Sequence, residues 1–213
     1  MPQLFQKHIF KELYMVKRVI FATGNKDKVR EAEEILGALG LTVISQKEAG
    51  IAVDVDENGT TFAENAMKKA EAVAGQCGDI VIADDSGLVI DYLDGEPGIY
   101  SSRYMGEDTS YEVKNNALIK RLDGVPDKER TARFVCAVAA VLPDGSKLVA
   151  EGCMEGTIAH QPFGEGGFGY DPIFMVPEFG RTSAELSSEE KNSISHRGKA
   201  LRAMCQLFRE VGL

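Results

Sequence analysis

The sequence contains no long apolar run and no excess of basic residues. No stretch approaches the roughly 18 consecutive apolar residues that a membrane-spanning helix needs, which argues against a membrane protein. The formal net charge is −9, and an acidic field over the whole molecule argues against non-specific binding to nucleic acid or to a membrane. A small anionic substrate stays compatible with this charge, because a local basic pocket and a metal ion can hold one.

Cysteine and histidine are also scarce. The chain has three scattered histidines and four cysteines, Cys77, Cys136, Cys153 and Cys205. No two cysteines form a Cys-x-x-Cys pair, which argues against a zinc site, and four cysteines in a chain of this length do not indicate a disulfide scaffold. We therefore expect reduced, mostly packed thiols in a cytoplasmic protein.

The N-terminal segment lacks the layout of a signal peptide. No basic region is followed there by an apolar stretch and a small-residue cleavage site. A first strand starts naturally only at about Met15, so we expect residues 1–14 to be an extension outside the fold. Neither a linker nor an internal repeat divides the remaining chain, and we expect residues 15–213 to form one domain.

Hydrophobic periodicity predicts strands that alternate with helices. A strand at residues 19–22, a helix at 26–39 and a strand at 42–44 give the order that is typical of an α/β fold. Thr61 and Glu64 form a capping-box pattern that opens the next helix, and this pattern explains Glu64 better than a metal site does. The later predicted elements are strands at 80–83 and 88–93, a helix at 111–122, a hairpin of strands 131–142 and 147–153, and helices at 187–194 and 198–211. The hairpin makes the expected sheet mixed.

A polar turn follows the first strand, where a helix begins. Backbone N–H groups at a helix N-terminus favour anions, and lysines and a hydroxyl in the same turn add donors for phosphate. The pattern is not a Walker A loop. The alternative is an ordinary helix start with solvated lysines. The turn consists of Thr23, Gly24, Asn25, Lys26, Asp27 and Lys28.

Asp84 and Asp85 follow the apolar residues of a predicted strand. Strand ends that open into a crevice are where α/β sheets place ligands, and hard carboxylate oxygens suit Mg²⁺. The alternative is a surface turn, because Asp-Ser-Gly is also turn chemistry. The acidic residues 54–57 could supply another carboxylate, although by themselves they indicate a solvated loop.

A glycine-rich loop at residues 164–169 matches the Gly-x-Gly-x-x-Gly pattern of dinucleotide-binding folds. It lies late in the chain, and Tyr170, Asp171 and Pro172 follow where a helix should begin, so we interpret the match as accidental. The loop could instead present Phe168 or Tyr170 for stacking on a base, or it could be a flexible hairpin loop whose phenylalanine packs in the core.

A cluster of donors, Ser195, His196 and Arg197, lies between two predicted helices, with Lys191 just before it. Such donors suit a phosphate or a keto oxygen. A capped helix start explains the same residues equally well.

Six motifs occur in a fixed order along the chain. They lie at residues 21–25 with Lys28, 61–66, 83–88, 97–104, 166–172 and 195–197. In this order they resemble the inosine triphosphate pyrophosphatase family, and together they are far more specific than any one motif. We find no departure at a position that the family uses for chemistry, and only residues 1–14 are unmatched.

The resemblance implies an elongated mixed sheet flanked by helices, in two lobes with a central cleft. It also implies a homodimer, Mg²⁺, and hydrolysis of ITP, dITP and XTP to the monophosphate and pyrophosphate. By position, Asp85 is the general base and a metal ligand, and Asp56 is the other ligand. Substrate-binding residues are Thr23, Gly24, Asn25, Lys26, Asp27 and Lys28 for the triphosphate, Ser86, and Phe168, Gly169, Tyr170, Asp171, Lys191, His196 and Arg197 for the nucleoside.

Base selection has a physical explanation in this scheme. Hypoxanthine and xanthine present a keto oxygen at position 6, where adenine presents an amino group. If Lys191, His196 or Arg197 faces that position, ATP leaves a buried donor unpaired, at a cost of about 1–3 kcal/mol each. GTP shares the keto group, so its exclusion must come from the 2-amino group.

Three other functions share some of these sequence features. A sibling pyrophosphatase that acts on modified pyrimidines or methylated nucleotides would share the fold. A nucleotide-sensing module without turnover would have no need of a base such as Asp85. An NAD-dependent oxidoreductase is disfavoured by the position of the glycine-rich loop.

Overall fold

The structure is a computed structural model that describes residues 18–213. The expected extension at residues 1–14 therefore lies outside the described residues. The described part contains seven strands in one sheet and five α-helices. The strands are β1 (Arg18–Phe21), β2 (Thr42–Ser45), β3 (Ile80–Ile90), β4 (Thr131–Val141), β5 (Lys147–Ile158), β6 (Phe174–Val176) and β7 (Arg181–Thr182), and the helices are α1 (Lys26–Leu36), α2 (Phe62–Ala74), α3 (Tyr111–Arg121), α4 (Ser188–Ile194) and α5 (His196–Glu210).

The sheet is mixed, as expected for this α/β fold. Its strand order is β2-β1-β3-β4-β5-β6-β7. Strand β1 pairs in parallel with β2 and β3, whereas every later pair is antiparallel. The long β4–β5 hairpin forms the centre of the antiparallel part of the sheet. In the parallel part, α1 connects β1 to β2.

Strand β3 differs from the prediction. The residues expected to form two strands separated by a turn form one continuous strand, which pairs with β4 from Val81 opposite Val141 to Ile90 opposite Ala132. Asp84 and Asp85 therefore lie inside a strand and not at its end. Strand β1 pairs with β3 only as far as Ile82, so the two aspartates lie just beyond the carboxyl end of β1. The expected crevice beside the two aspartates forms because β1 ends while β3 continues beyond it.

Several element ends also differ from the prediction. Helix α1 ends at Leu36 and continues as a 3₁₀ turn before Gly40, whose φ of 72° terminates it. Residues 91–93 form a 3₁₀ turn and not the end of a strand. Helix α5 begins at His196 and not at Gly198, because the Ser195 hydroxyl caps it by accepting a hydrogen bond from the Gly198 N–H at 3.0 Å.

The apolar core has three parts. One part packs α1 and α5 on the sheet through residues such as Phe208. A second packs α2 on the sheet through residues such as Ala70. The third surrounds Leu88, Phe134 and Phe174 near the β6 end. Leu88 and Phe134 of this third part also line a central cleft. Among residues 18–213, no helix has the length and apolar character that crossing a membrane would require.

Candidate active site

The central cleft has a volume of about 390 Å³ and brings together most of the predicted site residues. It is bordered by the turn before α1, the middle of β3, the glycine-rich loop, and the ends of α4 and α5. The predicted residues that line it are Thr23, Asn25, Lys28, Asp85, Ser86, Phe168, Gly169, Tyr170, Asp171, Lys191, His196 and Arg197. Gly24 lines an adjoining cavity together with Thr23 and Lys28.

The turn before α1 both caps the helix and presents a lysine to the cleft. The Asn25 side chain accepts hydrogen bonds from the N–H groups of Asp27 and Lys28, at 2.9 and 3.3 Å. Lys28 extends into the cleft, where its Nζ lies 2.7 Å from Asp84 Oδ1. Lys26 is exposed and does not line the cleft, and Asp27 forms a surface ion pair with Arg30. Of the basic side chains in this turn, the structure therefore directs that of Lys28 into the site.

Asp85 is held in a fixed orientation on β3. Its Oδ1 accepts a hydrogen bond from the Ser86 N–H at 3.0 Å, and its Oδ2 accepts one from Asn65 Nδ2 at 3.1 Å. Burial raises the pKa of the Asp85 carboxyl above its usual value, although the nearby charge of Lys69 acts in the opposite direction. A carboxylate of this kind is oriented and has an increased affinity for a proton, as a general base requires.

Two further charged residues, Glu57 and Lys69, lie beside Asp85. Lys69 was not predicted from the sequence, and Glu57 was included only as a member of the acidic stretch 54–57. Lys69 Nζ is 3.1 Å from Glu57 Oε1 and 3.8 Å from Asp85 Oδ1. Lys69 is four residues after Asn65 on α2, so helical spacing could have placed both on the face toward β3. Glu57 lies in a segment without regular structure, where no periodicity indicates which side chain points inward.

The carboxylate expected to accompany Asp85 was that of Asp56. The structure places Asp56 on a larger neighbouring cavity, where its Oδ2 accepts a hydrogen bond from Asn58 Nδ2 at 2.9 Å. Glu57 lines both that cavity and the central cleft. The described residues therefore bring Glu57, and not Asp56, to the lysine that contacts Asp85.

The arrangement of Glu57 and Asp85 fits a magnesium ion. Both are hard oxygen donors, and Lys69 Nζ lies within 4 Å of each, so the two carboxylates share one cationic partner. Within residues 18–213, no group of three or more histidines, cysteines and carboxylates could hold a metal. Magnesium is commonly bound by one or two carboxylates together with phosphate oxygens and water, so two carboxylates are sufficient if the substrate supplies the remainder.

Asp84 forms a buried ionic network under the cleft. Its carboxylate, 2% exposed, accepts hydrogen bonds from Lys28 and from Arg197 Nε, the latter at 3.0 Å. Burial alone would raise the pKa of Asp84, but the charges of Lys28 and Arg197 hold it well below its usual value. Arg197 also donates to Glu31 at 2.8 Å. Asp84 therefore stays ionised and positions two cations at the floor of the cleft.

The glycine-rich loop presents one aromatic ring to the cleft. Phe168 is 49% exposed, and the charged groups of Lys191 and Arg197 lie 5.2 and 5.9 Å from its ring centroid. Tyr170 is buried, and its hydroxyl donates to the Ser101 carbonyl at 2.7 Å. Phe168 is thus available to stack on a base, whereas Tyr170 supports the loop from below.

Asp171 fixes the shape of this loop. Its Oδ2 accepts hydrogen bonds from the Phe168 N–H at 2.7 Å and from Lys191 Nζ at 2.5 Å. Gly167 has a φ of 71°, and a Cβ there would lie 2.3 Å from the same oxygen. Glycine is required at this position both for the backbone conformation and for space. The loop is anchored and does not have the character of a free hairpin.

The residues at the start of α5 combine the two roles that the sequence left open. Ser195 caps the helix, while His196 and Arg197 line the cleft. The His196 ring stacks on Phe134 at a centroid distance of 4.9 Å, and burial lowers the pKa of the imidazole well below its usual value. His196 is therefore a neutral ring, which can donate from only one nitrogen.

Glu64 forms only half of the capping box that its spacing from Thr61 predicts. The Thr61 hydroxyl accepts a hydrogen bond from the Glu64 N–H at 3.1 Å, as the capping-box pattern predicts. The Glu64 carboxylate, however, accepts from the N–H of Thr60 at 2.7 Å and not from that of Thr61. The carboxylate therefore pairs with a backbone N–H one residue earlier in the chain than expected. Glu64 does not line the cleft.

The chain is similar to known proteins over most of its length. The model of the Ham1 family matches residues 19–207. A dITP/XTP pyrophosphatase of Clostridium perfringens is 48% identical over 195 residues, which cover 89% of this chain and 96% of the relative. A dITP/XTP pyrophosphatase of Geobacillus kaustophilus is 50% identical over 197 residues, which cover 92% of this chain and 96% of the relative. The structure of the Staphylococcus aureus Ham1 protein matches with a TM-score of 0.83 and 41% identity, covering 92% of this chain and all of that one. A HAM1 protein of Coxiella burnetii matches with a TM-score of 0.84 and 40% identity, covering 91% and 99%.

Proposed function

The chain belongs to the Ham1 family, and from this premise we propose that it is a dITP/XTP pyrophosphatase. It hydrolyses non-standard purine nucleoside triphosphates, ITP, dITP and XTP, to the monophosphate and pyrophosphate, and so removes them from the nucleotide pool. Relatives that carry this name are about half identical to it along nearly their whole length. The observation that carries the proposal is the oriented carboxylate of Asp85 in a cleft that also holds Lys28, Lys69 and Glu57.

The cations of the cleft would bind the phosphates. A nucleoside triphosphate carries about four negative charges, and attack by water requires that these be neutralised and aligned. Lys28 and Lys69 line both the central cleft and the small cavity beside it, together with Thr23. Three carboxylates, those of Asp54, Glu57 and Asp84, line the same small cavity, so Mg²⁺ would be needed together with the two lysines to offset the charge of the leaving pyrophosphate.

Asp85 and Glu57 would hold Mg²⁺, and Glu57 replaces Asp56 in this assignment. When bound, the ion would neutralise phosphate charge and favour departure of pyrophosphate. Asp85 orients a water molecule and accepts its proton as the oxygen attacks the α-phosphorus. The hydrogen bonds from the Ser86 N–H and Asn65 Nδ2 keep the carboxylate in one orientation for this task.

The nucleoside would lie at the other end of the cleft. The exposed ring of Phe168 provides a surface for the base, and Lys191 and neutral His196 provide donors for a keto oxygen at position 6. Arg197 forms ion pairs with Asp84 and Glu31. It therefore adds positive charge to the pocket in addition to any contact that it makes with the substrate. We further propose, as the resemblance implies, that the protein is a homodimer in the cytoplasm. Sedimentation velocity would test the dimer.

The bond that breaks provides the most direct test of this function. ITP hydrolysed with Mg²⁺ in water enriched in oxygen-18 is expected to give IMP that carries the heavy label and unlabelled pyrophosphate, because water attacks the α-phosphorus. EDTA should abolish the reaction, and added Mg²⁺ should restore it. Mass spectrometry of the two products provides the measurement.

Three outcomes would contradict the proposal. Label in orthophosphate together with accumulating IDP would indicate attack at the γ-phosphorus. Tight binding of ITP without turnover would indicate a nucleotide sensor. A panel of triphosphates in which modified pyrimidines are hydrolysed fastest would indicate a different substrate class within the same fold.

Lys28 is expected to bind the triphosphate part of the substrate. Lys28→Ala should weaken binding of ITP by about tenfold or more and change binding of IMP little, because the loss of a charge-assisted contact costs about 1.5–3 kcal/mol. Isothermal titration calorimetry without Mg²⁺ measures both affinities. Lys26→Ala provides the matched control, since this exposed lysine in the same turn does not line the cleft. Equal losses for ITP and IMP in Lys28→Ala would place Lys28 elsewhere.

Lys191 is expected to contribute to the choice of base. Lys191→Met should lower kcat/KM for ITP about tenfold and that for ATP much less, because ATP has no keto oxygen to accept its hydrogen bond. Lys199→Met is the control, since Lys199 donates to the Cys153 carbonyl outside the cleft. Uniform losses for the two substrates would indicate that Lys191 serves only to anchor Asp171.

A further inference from the structure

Asn65 is a fully buried polar residue at the start of α2 that contacts two parts of the site. Its exposed fraction is 0%, and the next residue, Ala66, belongs to the apolar core. Its Oδ1 accepts a hydrogen bond from the Gly59 N–H at 2.8 Å, and its Nδ2 donates to Asp85 Oδ2 at 3.1 Å. Burial of an amide is costly unless both ends are paired, and here each end has a partner.

The first contact fixes the segment that carries Glu57. Residues 51–59 contain neither helix nor strand, so this segment depends on side chains for its position. Arg103 donates to the Glu57 carbonyl at 3.0 Å, and Asn65 holds the Gly59 N–H. A Cβ at residue 59 would lie only 2.6 Å from Asn65 Oδ1. The close approach of this backbone to the Asn65 amide therefore requires glycine.

The second contact fixes the carboxylate of Asp85. Because the Ser86 N–H occupies Oδ1 and Asn65 occupies Oδ2, rotation of the carboxylate would break a hydrogen bond at either oxygen. One amide thus connects the backbone next to Glu57 with the proposed base, although Gly59 and Asp85 are far apart in sequence.

We propose that Asn65 is a positioning residue that sets the distance between the Glu57 segment and Asp85. This inference rests on the function proposed above for these carboxylates. Asn65 does not line the central cleft, and it acts only through the two groups that it holds. Its removal should misalign the reacting groups while the nucleoside part of the cleft stays intact, since misplacement of about 1 Å is enough for roughly a hundredfold loss of rate.

Replacement of Asn65 by alanine provides the first test. Asn65→Ala is expected to lower kcat for ITP by about 30- to 100-fold, in line with such a misplacement, and to change KM far less. IMP is the probe for the nucleoside part of the cleft, and its dissociation constant from calorimetry should stay within about twofold, which is the behaviour of a residue that acts on alignment.

Gly59→Ala tests the same contact from its other end without altering any charged or amide side chain. Its Cβ would also lie 2.9 Å from Glu64 Cβ. It should therefore displace the Asn65 amide together with the first turn of α2, and reproduce the loss of kcat with the same retention of IMP binding. Gly78→Ala is the matched control, because Gly78 is exposed and a Cβ there meets nothing within 4 Å. In the Asn65→Ala background, Gly59→Ala should cost less than it does alone, since coupled residues are not additive.

The outcomes separate this inference from the proposed function. If the unaltered protein does not release pyrophosphate from ITP, the proposed function fails and the inference fails with it. If the unaltered protein is active and the kcat of Asn65→Ala stays within about threefold, only the inference is overturned. A parallel loss of kcat, IMP affinity and the urea midpoint would also overturn it, because it would show a general structural role. Should Asn65→Ala not fold, a kcat of Gly59→Ala equal to that of Gly78→Ala would overturn the inference.

Discussion

Asp85→Asn is expected to lower kcat by about three orders of magnitude, because general base catalysis contributes about 10²- to 10⁴-fold and asparagine cannot accept the proton. The variant keeps the shape of the side chain and the acceptor toward the Ser86 N–H. KM for ITP should change less than kcat, since the phosphate and base contacts lie on other residues. Steady-state kinetics with pyrophosphate as the measured product provides the test.

The same variant is expected to remain folded. The pKa of Asp85 is raised by burial, so this group favours the folded state at acidic pH, and that contribution is lost as the pH rises through its folded pKa. At neutral pH the charged carboxylate is therefore unfavourable, but asparagine also leaves the buried Asn65 Nδ2 without an acceptor. The two effects oppose each other, so the urea midpoint should change little. Near-normal turnover by the folded variant would show that Asp85 is not the base.

Asp84→Asn is expected to lower the free energy of unfolding by about 3–5 kcal/mol, which is typical when one partner of a buried ion pair is removed. The carboxylate is 2% exposed and lies against Lys28 and Arg197. The variant leaves both cations without their shared partner in a place that water reaches poorly. Urea denaturation at neutral pH measures the loss.

The matched control is Asp79→Asn, which removes a carboxylate paired with Arg18 at the surface, and it should shift the midpoint far less. The effect of Asp84→Asn also depends on pH. Because the folded pKa of Asp84 is lowered from 3.8, its contribution is fully present above that value and is lost as the pH falls through the folded pKa. A loss as small as that of Asp79→Asn at neutral pH would contradict the assigned network.

Much of the scaffold could be predicted from the sequence because its signals are local. The helix start after the first strand, the Thr61 cap and the β4–β5 hairpin each depend on neighbouring residues, and all were recognised. The glycine-rich loop was correctly separated from a dinucleotide-binding turn, because the residues that follow it cannot start a long helix. The order of the motifs was sufficient to indicate the family.

Only the tertiary structure decided how the charged residues are paired. It joined two predicted strands into β3, because the charges of Lys28 and Arg197 compensate Asp84 inside the sheet. Lys28 lies 56 residues before Asp84 in the sequence, and Arg197 lies 113 residues after it. No pattern among neighbouring residues predicts contacts between residues so far apart in the sequence.

The choice between Asp56 and Glu57 has the same origin. Both carboxylates lie in a segment without regular secondary structure, so side-chain direction there is set by distant partners. Lys69 on α2 pairs with the Glu57 carboxylate, and Arg103 beyond β3 donates to the Glu57 carbonyl. The sequence by itself determined which residue types are available and which helix and strand carry most of them. Folding decided which carboxylate faces Asp85, because that direction is fixed by long-range hydrogen bonds and ion pairs and not by the preferences of neighbouring residues.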